Sequence, residues 1–264
     1  ALSLAKTKKV EELQKWAGEL PIWLSWKLDG LTVVLTYREG ALYKAVTRGN
    51  GEIGEVITPN AKAFKNIPFR IPFEGELILR GEAVISYSDF EKINAEIENI
   101  DAKYKNPRNL CSGSVRQLNS EITAERHVRF YAFSLVSAEG KSFSLISEQM
   151  DFLTALGFEV VASRRVTGTG IADAVKAFSE DIKTMDIPSD GLVLIYDDIA
   201  YGVSLGRTAK FPRNAIAFKW ADEVEETTLR EIEWSASRTG LINPVAIFDS
   251  VSLEGTTVSR ASVH

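Results

Sequence analysis

Cysteine and histidine, the residues that most often build cross-links and metal clusters, are nearly missing from this sequence. Its 264 residues include one cysteine, Cys111, and two histidines. An internal disulfide and a zinc site built from several cysteines are therefore excluded for this chain. A single cysteine is consistent with the reducing cytoplasm, where we expect the protein to be located. No apolar run approaches the roughly eighteen residues of a membrane span and no signal peptide is recognisable, so we expect no membrane partner.

An excess of positive charge is missing as well. The 31 lysines and arginines are outnumbered by 36 acidic residues, and the net charge is −5. A histone-like blanket of positive charge is therefore excluded, and binding to nucleic acid would need a local basic face. Two groups of basic residues could form one, although charge alone favours a solvated surface. They are Arg108, Arg116, Arg126 and Arg129, and then Arg207, Lys210, Arg213 and Lys219.

The length allows one large domain, or one domain followed by part of a second. The sequence pattern changes after Trp220, where an acidic connector, ADEVEETT, leads into short strand-like segments separated by turn signals. We therefore predict a domain boundary near 222, with one domain at 1–222 and part of another at 223–264. Because the chain starts at Ala1 and stops inside a strand-like run, we also expect it to be a piece of a longer protein.

Apolar periodicity predicts a mixture of strands and helices. The stretch from Leu31 to Tyr37 alternates apolar and polar residues, as a half-buried strand does. The stretch from Gly191 to Tyr196 is apolar at nearly every position, which predicts a strand buried on both faces. No regular βαβ repeat is visible, so the pattern favours the α+β class.

Capping signals predict where two helices begin. Asn106 followed by Pro107 suits an N-cap and first turn, and Ser88 with Glu91 suits a capping box. Other segments with strand or helix character are 8–18, 42–47, 76–85, 128–136, 150–156, 171–182 and 215–220.

The first candidate for chemistry is the motif Lys27-Leu28-Asp29-Gly30. It joins two runs of strand character, so the Lys27 side chain can face a cleft and act as a nucleophile. Taken alone the motif is weak, because KxDG should occur in roughly one chain in ten of this length. A surface lysine before a turn would then be the simpler explanation.

Six further segments follow in a fixed order and change that balance. They are TRGNGEIGE, LRGE, NPRNLCSGSVRQL, FYAF, SDGLVL and AIAFKW. Together with WKLDG they resemble the nucleotidyltransferase motifs of NAD-dependent bacterial DNA ligases, from LSLAKTK at Leu2 to RTGLINPVA at Arg238. The resemblance implies an ATP-grasp-like nucleotidyltransferase domain with antiparallel sheets and flanking helices, followed by the first part of an OB-fold β-barrel. The family's nicotinamide-gripping domain would precede Leu2, so we expect this fragment alone to react poorly with NAD.

The resemblance also implies the reaction. Lys27 attacks the α-phosphate of NAD and releases nicotinamide mononucleotide. The AMP then moves to the 5′-phosphate of a nick in duplex DNA, and the 3′-hydroxyl finally displaces it. An amine attacks only when deprotonated, and the ordinary lysine pKa is about 10.4. Lys219 and Arg48 would repel the charge of Lys27, whereas Asp29 and Glu82 would stabilise it. We therefore hypothesise that Lys27 becomes reactive only with nucleotide and Mg²⁺ in place.

The remaining site residues follow from the same motifs. Glu82 would accept hydrogen bonds from the ribose, with pairing to Arg80 as the alternative. Phe133 would stack on adenine, with a core position as the alternative. Asp190 would be the metal-site carboxylate. Lys27, Asp29 and Lys219 would be catalytic, and Arg48 and Lys219 would hold the nucleotide phosphates. Arg108 and Arg116, flanking a helix start, would bind the 5′-phosphate of the nick.

Four positions depart from the family pattern. Ser25 stands where the family commonly has Glu, and Ile195 stands where it commonly has Lys. Ile182 replaces an Arg, and Val56 replaces an acidic residue in the glycine loop. The first two positions touch the adenine side in the family, so recognition of adenine is in question more than phosphate chemistry.

Two other functions stay open at this stage. An ATP-dependent DNA or RNA ligase would use the same lysine chemistry. A degenerate relative could instead clamp DNA without catalysis. The favoured reading is a monomeric, nucleoid-associated NAD-dependent ligase that acts on nicked DNA.

Overall fold

The computed structural model describes residues 3–49, 53–221, 224–236, 240, 242–253 and 256–263. Part of the glycine loop, the predicted boundary at 222 and Arg238 lie outside the described residues. Contacts between residues divide the chain into two compact units, Ala1–Lys219 and Trp220–His264. The boundary near 222 remains a prediction, close to this division.

The strands among the described residues of the first unit form two sheets. A five-stranded sheet has the order β1-β9-β8-β2-β7, and a four-stranded antiparallel sheet has the order β4-β3-β5-β6. The strands are β1 (Ala5–Thr7), β2 (Ile22–Leu28), β3 (Leu31–Arg38), β4 (Ala41–Thr47), β5 (Leu77–Val84), β6 (Arg129–Ala138), β7 (Ser163–Val166), β8 (Ser189–Tyr196) and β9 (Ala215–Phe218).

Helices flank both sheets, which completes the α+β class predicted from the sequence. They are α1 (Val10–Ala17), α2 (Thr58–Ala61), α3 (Tyr87–Ala95), α4 (Pro107–Ser114), α5 (Ser120–Glu125), α6 (Ile146–Ala155), α7 (Gly170–Asp181) and α8 (Ile199–Ser204). A short 3₁₀ helix spans Ile100–Ala102. No helix in the described ranges is long and apolar enough to span a bilayer.

The main hydrophobic core covers one face of the four-stranded sheet. Alternate residues of β3, including Val33, Leu35 and Tyr37, are fully buried there, because successive side chains of a strand point to opposite faces. The same alternation corrects the prediction for 191–196. Leu192, Leu194 and Tyr196 are buried, whereas the intervening residues of β8 are only partly covered. One face of β8 is therefore open enough to border a site.

Side-chain caps fix the starts of two helices near the site. Asn106 accepts a hydrogen bond from the Asn109 amide at 2.8 Å, so the predicted start of α4 is confirmed. The predicted capping box at Ser88 is wrong. Ser86 is the N-cap of α3 and accepts from the Asp89 amide.

Asp197, just after β8, ties two parts of the first unit together. Its side chain is 0% exposed and accepts hydrogen bonds from the Ser147 amide at 2.9 Å, the Ser147 hydroxyl at 3.1 Å and Arg165 Nε at 2.7 Å. Ser147 lies in the first turn of α6, which packs on β6, whereas Arg165 lies on β7. One buried carboxylate thus joins the five-stranded sheet to a helix of the other sheet.

The second unit contains a three-stranded antiparallel sheet of order β10-β11-β12, made of β10 (Leu229–Ala236), β11 (Ile242–Leu253) and β12 (Thr256–Ser262). Ile232 and Trp234 on β10 pair with Ala246 and Pro244 on β11. Paired residues share a face, so these four form one apolar side. The Trp234 side chain is largely exposed. Such a sheet suits the opening strands of a barrel.

Candidate active site

Lys27 lies near the end of β2, on the strand face opposite to Trp26. The Trp26 ring packs against Phe178 of α7, so the neighbouring Lys27 side chain points away from that helix. Its Nζ contacts both carboxylate oxygens of Asp190, at 2.8 and 2.9 Å. Each of the two side chains is 29% exposed. The lysine is therefore held in place yet remains open to a ligand.

A β-bulge in β8 brings Asp190 to the lysine. In the antiparallel register Lys27 pairs with Gly191, whereas Leu28 pairs with Ser189, so Asp190 is the extra residue. Gly191 has φ +149°, and a Cβ there would lie 2.1 Å from the Phe218 carbonyl oxygen. A side chain at 191 would therefore push β9 away from the bulge.

Opposite charges alternate around Asp190. Lys219 Nζ, just after β9, lies 3.2 Å from Asp190 Oδ2, so one carboxylate joins two lysines. Burial opposes ionisation of Asp190, but the hydrogen bonds and charges of Lys27 and Lys219 outweigh it and lower its pKa. Burial, and next the charge of Asp190, raise the pKa of Asp29, although Arg108 Nη1 lies 3.4 Å from its carboxylate.

Glu82, on β5 of the four-stranded sheet, contacts the lysine loop, which is the segment 27–30 between β2 and β3. It accepts hydrogen bonds from the Gly30 amide at 3.2 Å and the Thr32 hydroxyl at 3.0 Å. Among the described residues no ion pair joins Glu82 to Arg80, so the alternative pairing is not seen. Burial raises the pKa of Glu82 to about 7, with Lys27 among the groups that oppose the shift. Near neutral pH this carboxyl group is thus poised between two protonation states.

Phe133 lies on β6, and Arg48 directly follows β4. Phe133 occupies a register break in β6 and is 38% exposed, whereas Ala132 and Leu135 point into the core. Its ring is not part of the buried core, so the alternative core position does not apply. Arg48 follows β4 with an exposed side chain, and its backbone amide donates to the Thr32 carbonyl at 3.0 Å.

The two arginines expected to bind DNA lie at opposite ends of α4. Arg108 is in the first turn, but Arg116 lies two residues beyond Ser114, the last residue of the helix. The expectation that both flank the helix start is therefore wrong for Arg116. Its Nε contacts Glu55 of the glycine loop at 2.6 Å. Both arginines are well exposed and each is paired with one acidic side chain.

Carboxylates close to the lysines suit a hard cation better than a transition metal. No cluster of three or more His, Cys, Asp or Glu side chains within the described segments could hold a metal ion by itself. Mg²⁺ needs no such cluster, because proteins usually bind it through one or two carboxylates, water and substrate phosphates. Asp190, with Asp29 near enough to repel it, fits that pattern.

Comparison with known proteins identifies the family. The family model for the NAD-dependent DNA ligase adenylation domain matches residues 4–223. The chain belongs to the NAD-dependent DNA ligase family. The model for the OB-fold domain of the same ligases matches residues 226–264. These matches confirm the resemblance, the fold and the enzyme class predicted from the sequence, and they favour NAD over ATP as the family's nucleotide.

Curated relatives with the name DNA ligase match the whole chain. The one from Lachnoclostridium phytofermentans is 66% identical over 264 residues, and the one from Ruminiclostridium cellulolyticum is 61% identical over 264 residues. The chain covers 40% of the length of each relative. The chain thus spans less than half of the length of these relatives.

Two departures of this chain from the family pattern lie on adjoining strands. Ser25 of β2 pairs with Val193 of β8, and Trp23 pairs with Ile195. A Glu at position 25 and a Lys at position 195 would therefore lie on the same face of the sheet, offset by two residues along the paired strands β2 and β8. Val56 is exposed beside Glu55, and Ile182 is the C-cap of α7.

Sequence reasoning missed several ligase residues that hold the lysine loop. Ser189 donates from its hydroxyl to the Lys27 carbonyl at 2.8 Å, and Thr32 supports Glu82. Both are ordinary polar residues in strands, so only the register could have revealed them. Cys111 is buried and donates to the Ala83 carbonyl, and His127 contacts Asp89.

The raised pKa of Glu82 predicts how stability depends on pH. A carboxyl group whose pKa rises on folding stabilises the folded state below about pH 4.5, and this stability is lost as pH rises through 7. In the wild-type chain this effect lowers the free energy of unfolding by up to roughly 3 kcal/mol between pH 5 and 8. We expect Glu82→Gln to abolish this decrease. Urea unfolding of the chain at pH 5, 6.5 and 8 measures it. Parallel pH curves for the two proteins would contradict the assignment.

Proposed function

We propose that the whole protein seals nicks between 5′-phosphate and 3′-hydroxyl ends in duplex DNA, and that this chain takes up AMP on Lys27. The observation that carries the proposal is the contact of one partly exposed carboxylate, Asp190, with both Lys27 and Lys219. Two cations and a carboxylate at a strand end form a place for a phosphate group and a nucleophile. The family match supplies the reaction class.

The first step joins Lys27 to the nucleotide. The lone pair of Nζ attacks the α-phosphorus of NAD and forms a P–N bond. The bond from that phosphorus to the bridging oxygen breaks, and the electron pair leaves with nicotinamide mononucleotide. Nζ must have lost a proton for this attack. The proton passes to solvent, and the neutral amine then keeps only an uncharged hydrogen bond to Asp190, while arriving phosphates offer Lys219 a new partner.

The other residues of the site bind and orient the nucleotide in this proposal. Glu82 accepts from the ribose hydroxyls, and Phe133 offers an exposed ring to the adenine. Arg48 and Lys219 offset charge that develops on the phosphate oxygens. Glu82 and Phe133 lie on strands, and Arg48 and Lys219 directly follow strands, which supports the assignment because strands hold side chains more rigidly than loops do.

Mg²⁺ would be held by Asp190, with Asp29 as the second nearby carboxylate. When bound, the ion would neutralise charge on the phosphate groups. Asp190 already faces two lysines, so this chain distributes one carboxylate among three possible cations. When the Asp190 carboxylate binds Mg²⁺, its contacts with Lys27 and Lys219 weaken.

Nicked DNA is the proposed second substrate, held in part by Arg108 and Arg116. Their present partners, Asp29 and Glu55, are partly exposed, and exposed ion pairs contribute little stability. A DNA phosphate can therefore replace these carboxylates at low cost, and a guanidinium fork suits phosphate oxygens. We expect the ligase to work as a monomer in the cytoplasm, on the nucleoid, in replication or repair.

Removal of these two arginines should weaken nick recognition. We expect Arg108→Ala with Arg116→Ala to lower sealing of a pre-adenylated nick about a hundredfold in the full-length ligase, and to reduce the salt dependence of DNA binding. Arg38→Ala is the matched control, because Arg38 forms a similar exposed pair with Glu76. Equal sealing by all these variants would remove the arginines from the proposal.

Mass spectrometry of the full-length ligase after incubation with NAD and Mg²⁺ tests the function directly. The expected result is one added AMP, mapped to Lys27. AMP on another residue, or uptake from ATP but not from NAD, would overturn the proposal.

A further inference from the structure

Backbone hydrogen bonds hold the lysine loop from several sides. The Lys27 carbonyl accepts from the Ser189 hydroxyl at 2.8 Å. The Asp29 amide donates to the Pro188 carbonyl at 2.8 Å, and the Gly30 amide donates to Glu82. Two of these three bonds come from neighbouring residues of one segment, 188–189. That segment therefore governs where the loop lies relative to β8.

Ser189 sits where the pairing of β2 with β8 breaks. Its hydroxyl lies 2.8 Å from the Lys27 carbonyl oxygen, 3.0 Å from the Gly191 carbonyl oxygen and 3.4 Å from the Gly191 amide. The side chain thus spans the bulge that presents Asp190 to Lys27. A hydroxyl has one proton to donate and can also accept, so it replaces ladder bonds that the extra residue disturbs.

The segment that carries Ser189 is anchored at its other end. Asp186 accepts from the Ser88 amide at 3.0 Å and the Ser88 hydroxyl at 2.6 Å. The Asp186 carbonyl also accepts from the Tyr87 amide at 2.9 Å. Ser88 and Tyr87 begin α3, which follows β5 and Glu82. The hydroxyl of Ser189 is therefore fixed relative to both sheets.

We propose that Ser189 is a positioning residue, whose hydroxyl spans the bulge in β8 and fixes the Lys27 backbone and the Asp190 carboxylate for adenylation. This role rests on the proposed function. Loss of the hydroxyl leaves the bulge without its side-chain bridge, so the lysine loop and Asp190 can shift separately. A shift of the nucleophile by a fraction of an ångström lowers the rate of attack far more than it weakens binding of a large nucleotide.

The test compares single-turnover AMP transfer from NAD to Lys27 in the full-length ligase, with Mg²⁺, over a range of NAD concentrations. We expect Ser189→Ala to lower the maximal rate about tenfold, with a half-saturating NAD concentration within about twofold of wild type. Ser189→Thr keeps the hydroxyl and should stay within about threefold of the wild-type rate. Sealing of a pre-adenylated nick, in which Lys27 is not the nucleophile, should change by less than about twofold.

The matched control is Ser179→Ala on α7, because the Ser179 hydroxyl also donates to a backbone carbonyl, that of Lys176, at 2.6 Å. It should leave both reactions unchanged. A wild-type rate in Ser189→Ala, equal losses in the alanine and threonine variants, or equal losses in transfer and sealing would overturn the positioning role. A wild-type ligase that takes up no AMP from NAD would instead overturn the proposed function.

Discussion

Replacing Lys27 by arginine will lower AMP uptake from NAD by at least about 10⁴-fold, because a guanidinium keeps its proton and cannot attack phosphorus. Arginine keeps the positive charge that Asp190 binds in the wild type. The fold and the ion pair should therefore survive while the nucleophile is lost. Intact mass spectrometry of the full-length variant after incubation with NAD and Mg²⁺ measures the loss.

Two further variants sharpen this test. Lys27→Ala should be equally inactive but should also leave Asp190 with Lys219 as its lysine partner. Lys183→Arg is the matched control, because Lys183 forms an exposed ion pair with Glu180 of α7. Full activity of the Lys27→Arg ligase in sealing unadenylated nicks would exclude the lysyl-AMP route. Full biological activity without any sealing would favour the non-catalytic DNA clamp.

Asp197→Ala will produce a large loss of stability. The carboxylate is fully buried and accepts three hydrogen bonds, from Ser147 and Arg165. Its removal leaves the start of α6 and a guanidinium without their acceptor. Because Arg165 is half exposed, water offsets part of the cost, and we expect a loss of about 2–4 kcal/mol. Urea unfolding of the chain at pH 7 measures it.

The neighbouring residue supplies the control. Asp198 caps α8 by accepting from the Tyr201 amide at 2.9 Å, and loss of an exposed cap costs about 1 kcal/mol. Asp198→Ala should therefore destabilise the chain much less than Asp197→Ala. Similar losses in the two variants would show that burial of Asp197 adds nothing to its role.

Periodicity and caps predicted much of the fold, because they report local geometry. The alternation at Leu31–Tyr37 and the cap at Asn106 both correspond to observed elements. The sequence pattern predicts the cap of α3 at Ser88 instead of Ser86, because each serine fits a capping pattern. Asp186, which accepts a hydrogen bond from the Ser88 hydroxyl, lies 98 residues from it in the sequence, and no local pattern predicts such a partner.

The site was predictable by residue type but not by arrangement. The motifs singled out Lys27, Asp190 and Lys219, whose contacts appear only in the folded chain. The apolar pattern of β8 does not predict a one-residue bulge at Asp190. The pattern therefore does not indicate a role for the Ser189 hydroxyl that spans the bulge. Recognition of Asp197 would have needed its burial, which a single aspartate in a sequence does not reveal.

The long separation between Lys27 and its carboxylate partner has a consequence for synthesis of the protein. The two residues are 163 positions apart, and Lys219 comes later still. While the ribosome is adding the intervening residues, the nascent chain carries a lysine without its counter-ion, and the loop around it lacks the segment that shapes it. Chemical competence therefore arrives only after the last strand of the first unit has emerged, and products truncated before that point should remain unmodified.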